Sequence, residues 1–211
     1  MNKILRMIDN IAKPNMKLLD VGCKDFGNEE AFLLKKLEGK NLFLYGIDKT
    51  DVKNPKFNFT QGDIEKGLPY DDNYFDIIVA GEIIEHIYNT DLFLKEIYRC
   101  LKNNGHLIIT TPNTTSLNNR IHYMMGKIPE ENKEHIRFFN FDRLTRYLIK
   151  TGFRVEKKLT NNIPFPITKI KSNIAVKLGD YFYSLGQIII IRASKRKKIS
   201  NQIASENTYY E

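Results

Sequence analysis

Short apolar segments that alternate with helical patterns are the feature that most constrains how this chain folds. These segments lack the polar–apolar alternation of a strand with one face in water, so both of their faces are expected to be covered. A parallel sheet with helices on each side meets that requirement, and the alternation supplies the crossovers that such a sheet needs. Strands are predicted at residues 17–21, 41–47, 75–80, 106–110, 153–159 and 187–192.

Helical patterns fill the spaces between these strands. An amphipathic leader helix is predicted within residues 1–13, before Pro14, and the last helix, at 141–151, begins with Asp142 as its expected cap and ends at Gly152. Other helices are predicted at 28–37, at 91–101 and from Ile83 onwards. The pattern therefore predicts a single doubly wound α/β domain over residues 1–192.

Two segments interrupt the alternation, at residues 114–134 and 161–185. Insertions of this length in a compact α/β domain usually cover the binding site or contact partners. Both are therefore predicted to lie on the substrate side. The apolar Tyr181-Phe182-Tyr183 group, with lysines nearby, suggests a lid that touches an amphiphilic acceptor or the surface of a membrane.

The net charge of +8 is concentrated near the end of the chain. Residues 193–211 are predicted to form a disordered, solvated basic tail, with contact to an anionic surface or partner as the alternative. Two cysteines without paired spacing argue against a disulfide framework or a thiolate zinc site, and they favour a reducing, cytoplasmic location. There is no secretory signal pattern and no apolar run near the roughly 18 residues of a membrane span.

Three predicted strand ends carry polar or glycine residues where open α/β sheets bind ligands. The first strand runs into Asp20-Val21-Gly22, the second ends at Asp48, and Asp63 lies in the turn that follows. A dinucleotide fingerprint would need a glycine at position 24, and Lys24 occupies it, which disfavours a site for a pyrophosphate. A carboxylate at position 48 can accept hydrogen bonds from the hydroxyls of a ribose.

The ordered motifs LLDVG, YGID, GDI, FDIIVAGEIIEHI and LKEIYRCLKNNGHLIITTPN resemble those of class I S-adenosylmethionine-dependent methyltransferases of type 11 or type 23. The resemblance extends from Leu18 to Phe153, and it departs from the family at Lys24-Asp25-Phe26, where relatives usually carry glycines. It implies a Rossmann-like, seven-stranded sheet whose last strand is antiparallel, and S-adenosyl-L-methionine as the cofactor. The predicted cofactor contacts are Asp20, Gly22, Cys23, Gly27, Asp48, Lys49, Asp63, Ile64, Ala80, Gly81 and Glu82.

Candidate chemistry lies beyond the strand at 75–80. Glu82, Glu85 and His86 would share one face of a helix, and His135 follows the first insertion. His135 is the first candidate for a general base and His86 the second. Such an N/O set suits a divalent metal, and the similar arrangement in ubiquinone-pathway and small-RNA methyltransferases implies one there. A metal-free role in cofactor or substrate binding and a structural role stay open.

A sugar or lipid-linked hydroxyl is the favoured acceptor, and a small molecule of the quinone type is the next. Nucleic acid is disfavoured, because the chain lacks an aromatic and basic platform for single strands. Two other function classes stay open: an NAD-dependent oxidoreductase, and a non-catalytic scaffold that binds S-adenosylmethionine.

Overall fold

A computed structural model describes residues 2–24, 31–53, 55–128, 134–161 and 182–196. Within these ranges the chain forms one seven-stranded sheet with the order β3-β2-β1-β4-β5-β7-β6. The first five strands run parallel, and β7 lies antiparallel to both β5 and β6. The predicted fold class is confirmed. The strands are β1 Lys17–Val21, β2 Phe43–Asp48, β3 Asn58–Gln61, β4 Phe75–Gly81, β5 Leu101–Pro112, β6 Phe153–Thr160 and β7 Ile188–Lys195.

Helices cover both faces of the sheet. The helices are α1 Asn2–Asp9, α2 Phe32–Leu37, α3 Thr90–Cys100, α4 Leu117–Met124 and α5 Phe141–Thr151, with short 3-10 turns at Ile64–Lys66, Ile84–His86 and Tyr183–Leu185. None of these described helices is long and apolar enough to span a membrane.

The core has two layers because alternate residues of each strand face opposite sides. Leu19 and Val21 of β1 belong to the layer that packs against α3 and α5. Leu18, from the same strand, belongs to the other layer, which includes Met7 and Ile8 of α1 and the leucines of α2. The central strands are therefore buried on both faces, as their continuous apolar sequences predict.

Three local predictions need correction. The helix expected from Ile83 is a single 3-10 turn, because the chain leaves β4 with Glu82 at a positive φ of 51° and a new helix starts only after the cap at Asn89. Helix α5 is capped by Asn140, whose side chain accepts a hydrogen bond from the backbone N–H of Arg143; Asp142 lies inside the helix.

The third correction concerns the start of the basic tail. Residues 193–195 continue β7, and Lys195 is buried. Its ammonium group donates to the Oδ1 atom of Asn73 and to the carbonyl of Leu101. These hydrogen bonds compensate for the hydration that the charged ammonium group loses on burial. The rest of the predicted tail, from residue 197, lies outside the described residues.

The two insertions are described in part. The first contains α4, which has no buried residue, and the second is described only at Asn161 and from Phe182 onwards. Tyr183 packs on Phe141, with ring centroids 4.7 Å apart, whereas Phe182 is exposed. The rest of the predicted lid, including Tyr181, falls outside the described residues.

Candidate functional site

A cleft of about 900 Å³ opens at the carboxyl ends of β1, β2 and β4. Strand β1 lies between β2 and β4 at the point where the strand order reverses, which is where open α/β sheets bind ligands. Gly22 lies at the floor of this cleft with a φ of 71°. A Cβ atom there would lie 2.9 Å from the Cδ1 atom of Ile83, so both the backbone conformation and the space favour glycine.

The carboxylate of Asp48 is held in a fixed orientation at the side of the cleft. Its Oδ2 atom accepts a hydrogen bond from the backbone N–H of Lys24 at 3.0 Å. Its Oδ1 atom accepts from both the backbone N–H and the hydroxyl of Thr50, each at 2.9 Å. The residue that replaces the expected glycine therefore supports the acidic side chain through its backbone. The Oδ2 atom has a second lone pair that can accept from a ligand, whereas both lone pairs of Oδ1 are engaged by Thr50.

The structure brings only part of the predicted cofactor set into this cleft. Its lining includes Asp20, Gly22, Cys23, Asp48, Gly81 and Glu82. Gly27 lies outside the described residues.

Four predicted residues are not among the described lining residues of the cleft, and their contact with the cofactor stays a prediction. Ile64 and Ala80 are buried in the core. Asp63 caps the 3-10 turn by accepting a hydrogen bond from the backbone N–H of Glu65, and Lys49 lies 3.6 Å from its carboxylate. Asp63 still lies beside the end of β2, because Gly62 donates to the carbonyl of Asp48.

Glu82 places a second carboxylate at the cleft. Its backbone N–H lies 3.1 Å from the carbonyl of Thr110, and its carboxylate accepts a hydrogen bond from the hydroxyl of the same threonine at 2.8 Å. Although the residue as a whole is exposed, its carboxylate lies in a recess where desolvation raises the pKa of Glu82 to about 7. The nearby charge of Glu85 is the second cause of this increase.

Glu85, His86 and His135 form one cluster, in which a ligand atom of each lies within 4.8 Å of the others. The two imidazole rings meet edge to face, with centroids 4.9 Å apart. The Oε2 atom of Glu85 accepts a hydrogen bond from Thr111, whereas its buried Oε1 atom has no hydrogen-bond partner among the described residues. Burial raises the pKa of Glu85 to about 7. The carboxylate of Glu82 is not a member of this cluster.

Backbone hydrogen bonds attach the segment that carries His135 to the 3-10 turn after β4. The carbonyl of Glu85 accepts from the backbone N–H groups of Ile136 and Arg137 at 3.0 and 3.1 Å. The guanidinium group of Arg137 donates to the carbonyls of Ile87 and Tyr88. These contacts place His135 beside His86, 49 positions earlier in the chain.

A second cavity, of about 310 Å³, lies on the other side of this cluster. Glu85 and His135 line it, while His86 and Glu82 line the large cleft. Ile188 contributes to the walls of both cavities. The carboxylate–imidazole cluster therefore stands between two adjacent ligand-sized spaces.

Several lining residues were missed by sequence reasoning. Ile4 of the leader helix, Thr110 at the end of β5 and Ile190 of β7 all reach the large cleft. Thr110 could have been found, because the end of β5 lies next to the end of β4 in any sheet of this order. Ile4 and Ile190 carry no local signal, since only the packing of α1 and β7 brings them there.

The chain matches a family described as a methyltransferase domain over residues 1–158. A probable S-adenosylmethionine-dependent methyltransferase of Mycobacterium tuberculosis is 33% identical over 141 residues, which cover 64% of this chain. The chain spans about half the length of that relative, 48%. The ubiquinone biosynthesis O-methyltransferase of Rickettsia prowazekii is 26% identical and covers 87% of this chain and 75% of its own. A SAM-dependent methyltransferase from Archaeoglobus fulgidus superimposes with a TM-score of 0.66 at 20% identity, over 92% of each chain.

Proposed function

Because this chain belongs to the methyltransferase-domain family, we propose that it transfers a methyl group from S-adenosylmethionine to a hydroxyl oxygen of an acceptor. The large cleft would hold the cofactor and the smaller cavity the acceptor. The observation that supports this assignment is the position of the cluster of Glu85, His86 and His135 between the two cavities. Methyl transfer needs donor and acceptor to meet in line within about 3–3.5 Å, and this is where their ligands would meet.

The reaction requires one proton acceptor. The acceptor oxygen attacks the methyl carbon while the bond between that carbon and sulfur breaks. The electron pair of the broken bond stays on sulfur, which gives the neutral thioether S-adenosylhomocysteine. The hydroxyl proton must leave the new ether oxygen. A base beside the acceptor therefore completes the site.

His135 is the proposed base. It lines the acceptor cavity, and desolvation lowers its pKa, with the neighbouring His86 ring as the second cause. Its imidazole is therefore neutral near pH 7 and able to take a proton. The Nδ1–H group of His86 donates to the carbonyl of Glu134 at 3.1 Å, and His86 lies on the cofactor side of the cluster. We assign His86 the positioning of His135.

A divalent cation in the same cluster is a second proposal, and the residues present fit one. The unpartnered Oε1 atom of Glu85 is a buried acceptor, and two imidazoles lie within reach of the same point. A carboxylate with two imidazoles is a common ligand set for Mn²⁺, Zn²⁺ or Fe²⁺. When bound, such a cation would lower the pKa of an acceptor hydroxyl. Glu82, which forms its hydrogen bond with Thr110, is left out of the proposed ligand set.

The acceptor class is proposed from the site and its relatives together. Relatives named as ubiquinone biosynthesis O-methyltransferases favour an oxygen acceptor. We propose a sugar, a lipid-linked hydroxyl or another small molecule rather than a nucleic acid, with peripheral contact to a membrane for a lipid-linked acceptor.

The cofactor is tested first by ligand-induced stabilisation. S-Adenosylhomocysteine at about 100 times its dissociation constant adds about 2.7 kcal/mol. For a chain of this size, that should raise the melting temperature by about 5–10 °C. NAD at the same concentration should leave it unchanged. A shift with NAD alone would favour an oxidoreductase, and no shift with either ligand would contradict cofactor binding.

A second experiment distinguishes catalysis by the His135 base from catalysis that depends on a bound cation. Transfer of tritiated methyl groups to a panel of methyl glycosides and phenols is measured for the wild type, His135→Ala and His135→Gln, each with and without a chelator. Loss of the base should lower the rate about 10²–10⁴-fold in all conditions. Methyl-transfer activity that is lost with the chelator and restored by added Mn²⁺ would support the cation. His122→Ala, which lies in neither cavity lining, is the control. Equal rates for His135→Ala and wild type would exclude His135 as the base.

A further inference from the structure

We propose that the smaller cavity selects a single-ring, polyhydroxylated acceptor, such as one monosaccharide unit, through the side-chain amides of Asn118 and Gln187. This inference rests on the proposed methyl transfer and specifies its acceptor. The evidence is the chemistry of the cavity wall, its size and the position of the cluster beside it.

Amide and hydroxyl side chains make up much of the cavity lining, beside apolar residues. Its polar members outside the carboxylate–imidazole cluster are Thr111, Thr114, Ser116, Asn118, Asn119, Arg137 and Gln187, with Asn113 behind them. Asn113 is committed to the fold, because its side-chain N–H groups donate to the carbonyls of Ser184 and Gly186. The side-chain amide of Asn119 donates to the backbone carbonyl of Asn113. These bonds hold the wall in place before any ligand binds.

Asn118 and Gln187 differ from these two residues. Within the part of the chain that the structure describes, neither side-chain amide has a hydrogen-bond partner. Each amide offers two N–H donors and one carbonyl acceptor. Neighbouring hydroxyls of a ligand, each a donor and an acceptor, can form hydrogen bonds with these two amides. The backbone carbonyl of Gln187 accepts from Asn113 at 2.7 Å, which fixes where its side chain begins.

Phe138 supplies a benzene ring to the described part of this lining. Its side chain is 43% exposed, and it lies beside the polar wall. A sugar ring has hydroxyls at its edge and a face of C–H groups, and such a face carries a slight positive charge that suits the negative face of an aromatic ring. Together, the amides and the aromatic ring match both surfaces of a pyranose.

The size of the cavity suits the part of an acceptor that one ring occupies. Small-molecule sites usually measure about 300–1,000 Å³, and this cavity, at about 310 Å³, lies at the lower end of that range. Because Glu85 and His135 line it, a hydroxyl of the bound ring would lie beside the proposed base. Asn118 is half-buried and Gln187 is exposed, so a phenol of the same size would leave their amides bonded to water and would gain no hydrogen bonds from them.

Saturation-transfer NMR tests the inference on the full chain loaded with S-adenosylhomocysteine. The probes are the methyl glycopyranosides of glucose, galactose, mannose and rhamnose, with catechol and phenol as the competing class. At least one glycoside should bind, and its affinity should fall about tenfold when Asn118→Leu and Gln187→Met remove the amides at nearly constant volume. Asn10→Leu, an exposed asparagine outside both cavities, is the matched control.

The binding results either support or overturn the proposed acceptor. Glycoside binding that weakens in the amide variants but not in Asn10→Leu supports the inference. Binding confined to catechol or phenol, glycoside affinity unchanged in the amide variants, or no glycoside signal at all would overturn it while the methyl-transfer proposal stands. Failure of S-adenosylhomocysteine to bind in the same samples would instead overturn the proposed function.

Discussion

Gly46 is a position in the central sheet where a single added carbon should clearly disturb the packing. It lies within β2, and a Cβ atom there would lie 2.7 Å from the Cε2 atom of Phe57 and 2.8 Å from the Sγ atom of Cys23. A third neighbour, the Cδ1 atom of Leu34, would be 3.0 Å away. Cys23 cannot retreat easily, because its backbone N–H donates to the carbonyl of Ile47.

The expected cost of Gly46→Ala follows from two opposing effects. Overpacking a tight core costs about 1–3 kcal/mol. Replacing a strand glycine recovers about 0.5–1 kcal/mol, since alanine has less conformational freedom to lose. The net loss should be about 0–2.5 kcal/mol, which corresponds to a melting temperature lower by up to about 10 °C for a chain of this length.

Urea denaturation followed by circular dichroism measures this loss. Gly81→Ala is the matched control, because it too lies in a parallel strand and its added carbon would meet only the Oγ1 atom of Thr110, at 3.7 Å. Gly81→Ala should therefore be at least as stable as the wild type, with a gain of up to about 0.5–1 kcal/mol. If Gly46→Ala proved as stable as Gly81→Ala, the packing around β2 would be looser than the structure indicates and the reasoning would fail.

Four other substitutions test the caps and attachments of the fold. Asn140→Ala should lower the stability by about 1 kcal/mol in urea denaturation, whereas Asp142→Ala should cost less, because only Asn140 caps α5. Lys195→Met should lower it by about 1–3 kcal/mol, since the carbonyl of Leu101 and its other acceptors lose a buried donor; an unchanged midpoint would contradict this. Arg137→Lys should lower kcat in tritium transfer with little change in S-adenosylhomocysteine affinity, because it loosens the segment that carries His135; equal losses in both would refute that role.

Six of the seven strands could be predicted from the sequence because their signals are local, whereas the short and partly polar β3 was not predicted. The apolar segment that became β4 starts at Phe75, as predicted, and α5 runs over the predicted residues to its left-handed Gly152. Because the cleft forms at the carboxyl ends of these strands, Asp20, Gly22 and Asp48 could be placed at one edge of the sheet.

The cluster could be predicted only in part, because its geometry depends on contacts between distant segments. Glu85, His86 and His135 were chosen for their chemistry, but nothing local shows that the carbonyl of Glu85 fixes the segment after residue 133. The helix predicted from Ile83 failed because periodicity does not reveal a left-handed residue at position 82. The amides of Asn118 and Gln187 gave no signal, since α4 and the start of β7 meet only in the folded chain.

The left-handed backbone at Glu82 has a consequence for how this chain could be stabilised. A residue with a Cβ atom in that region costs about 1–2 kcal/mol, and glycine would relieve the cost. Selection for heat resistance alone should therefore favour Glu82→Gly, and selection for turnover should oppose it, because the carboxylate bound to Thr110 would be lost from the cleft. A single substitution at this position should therefore raise thermal stability and lower activity.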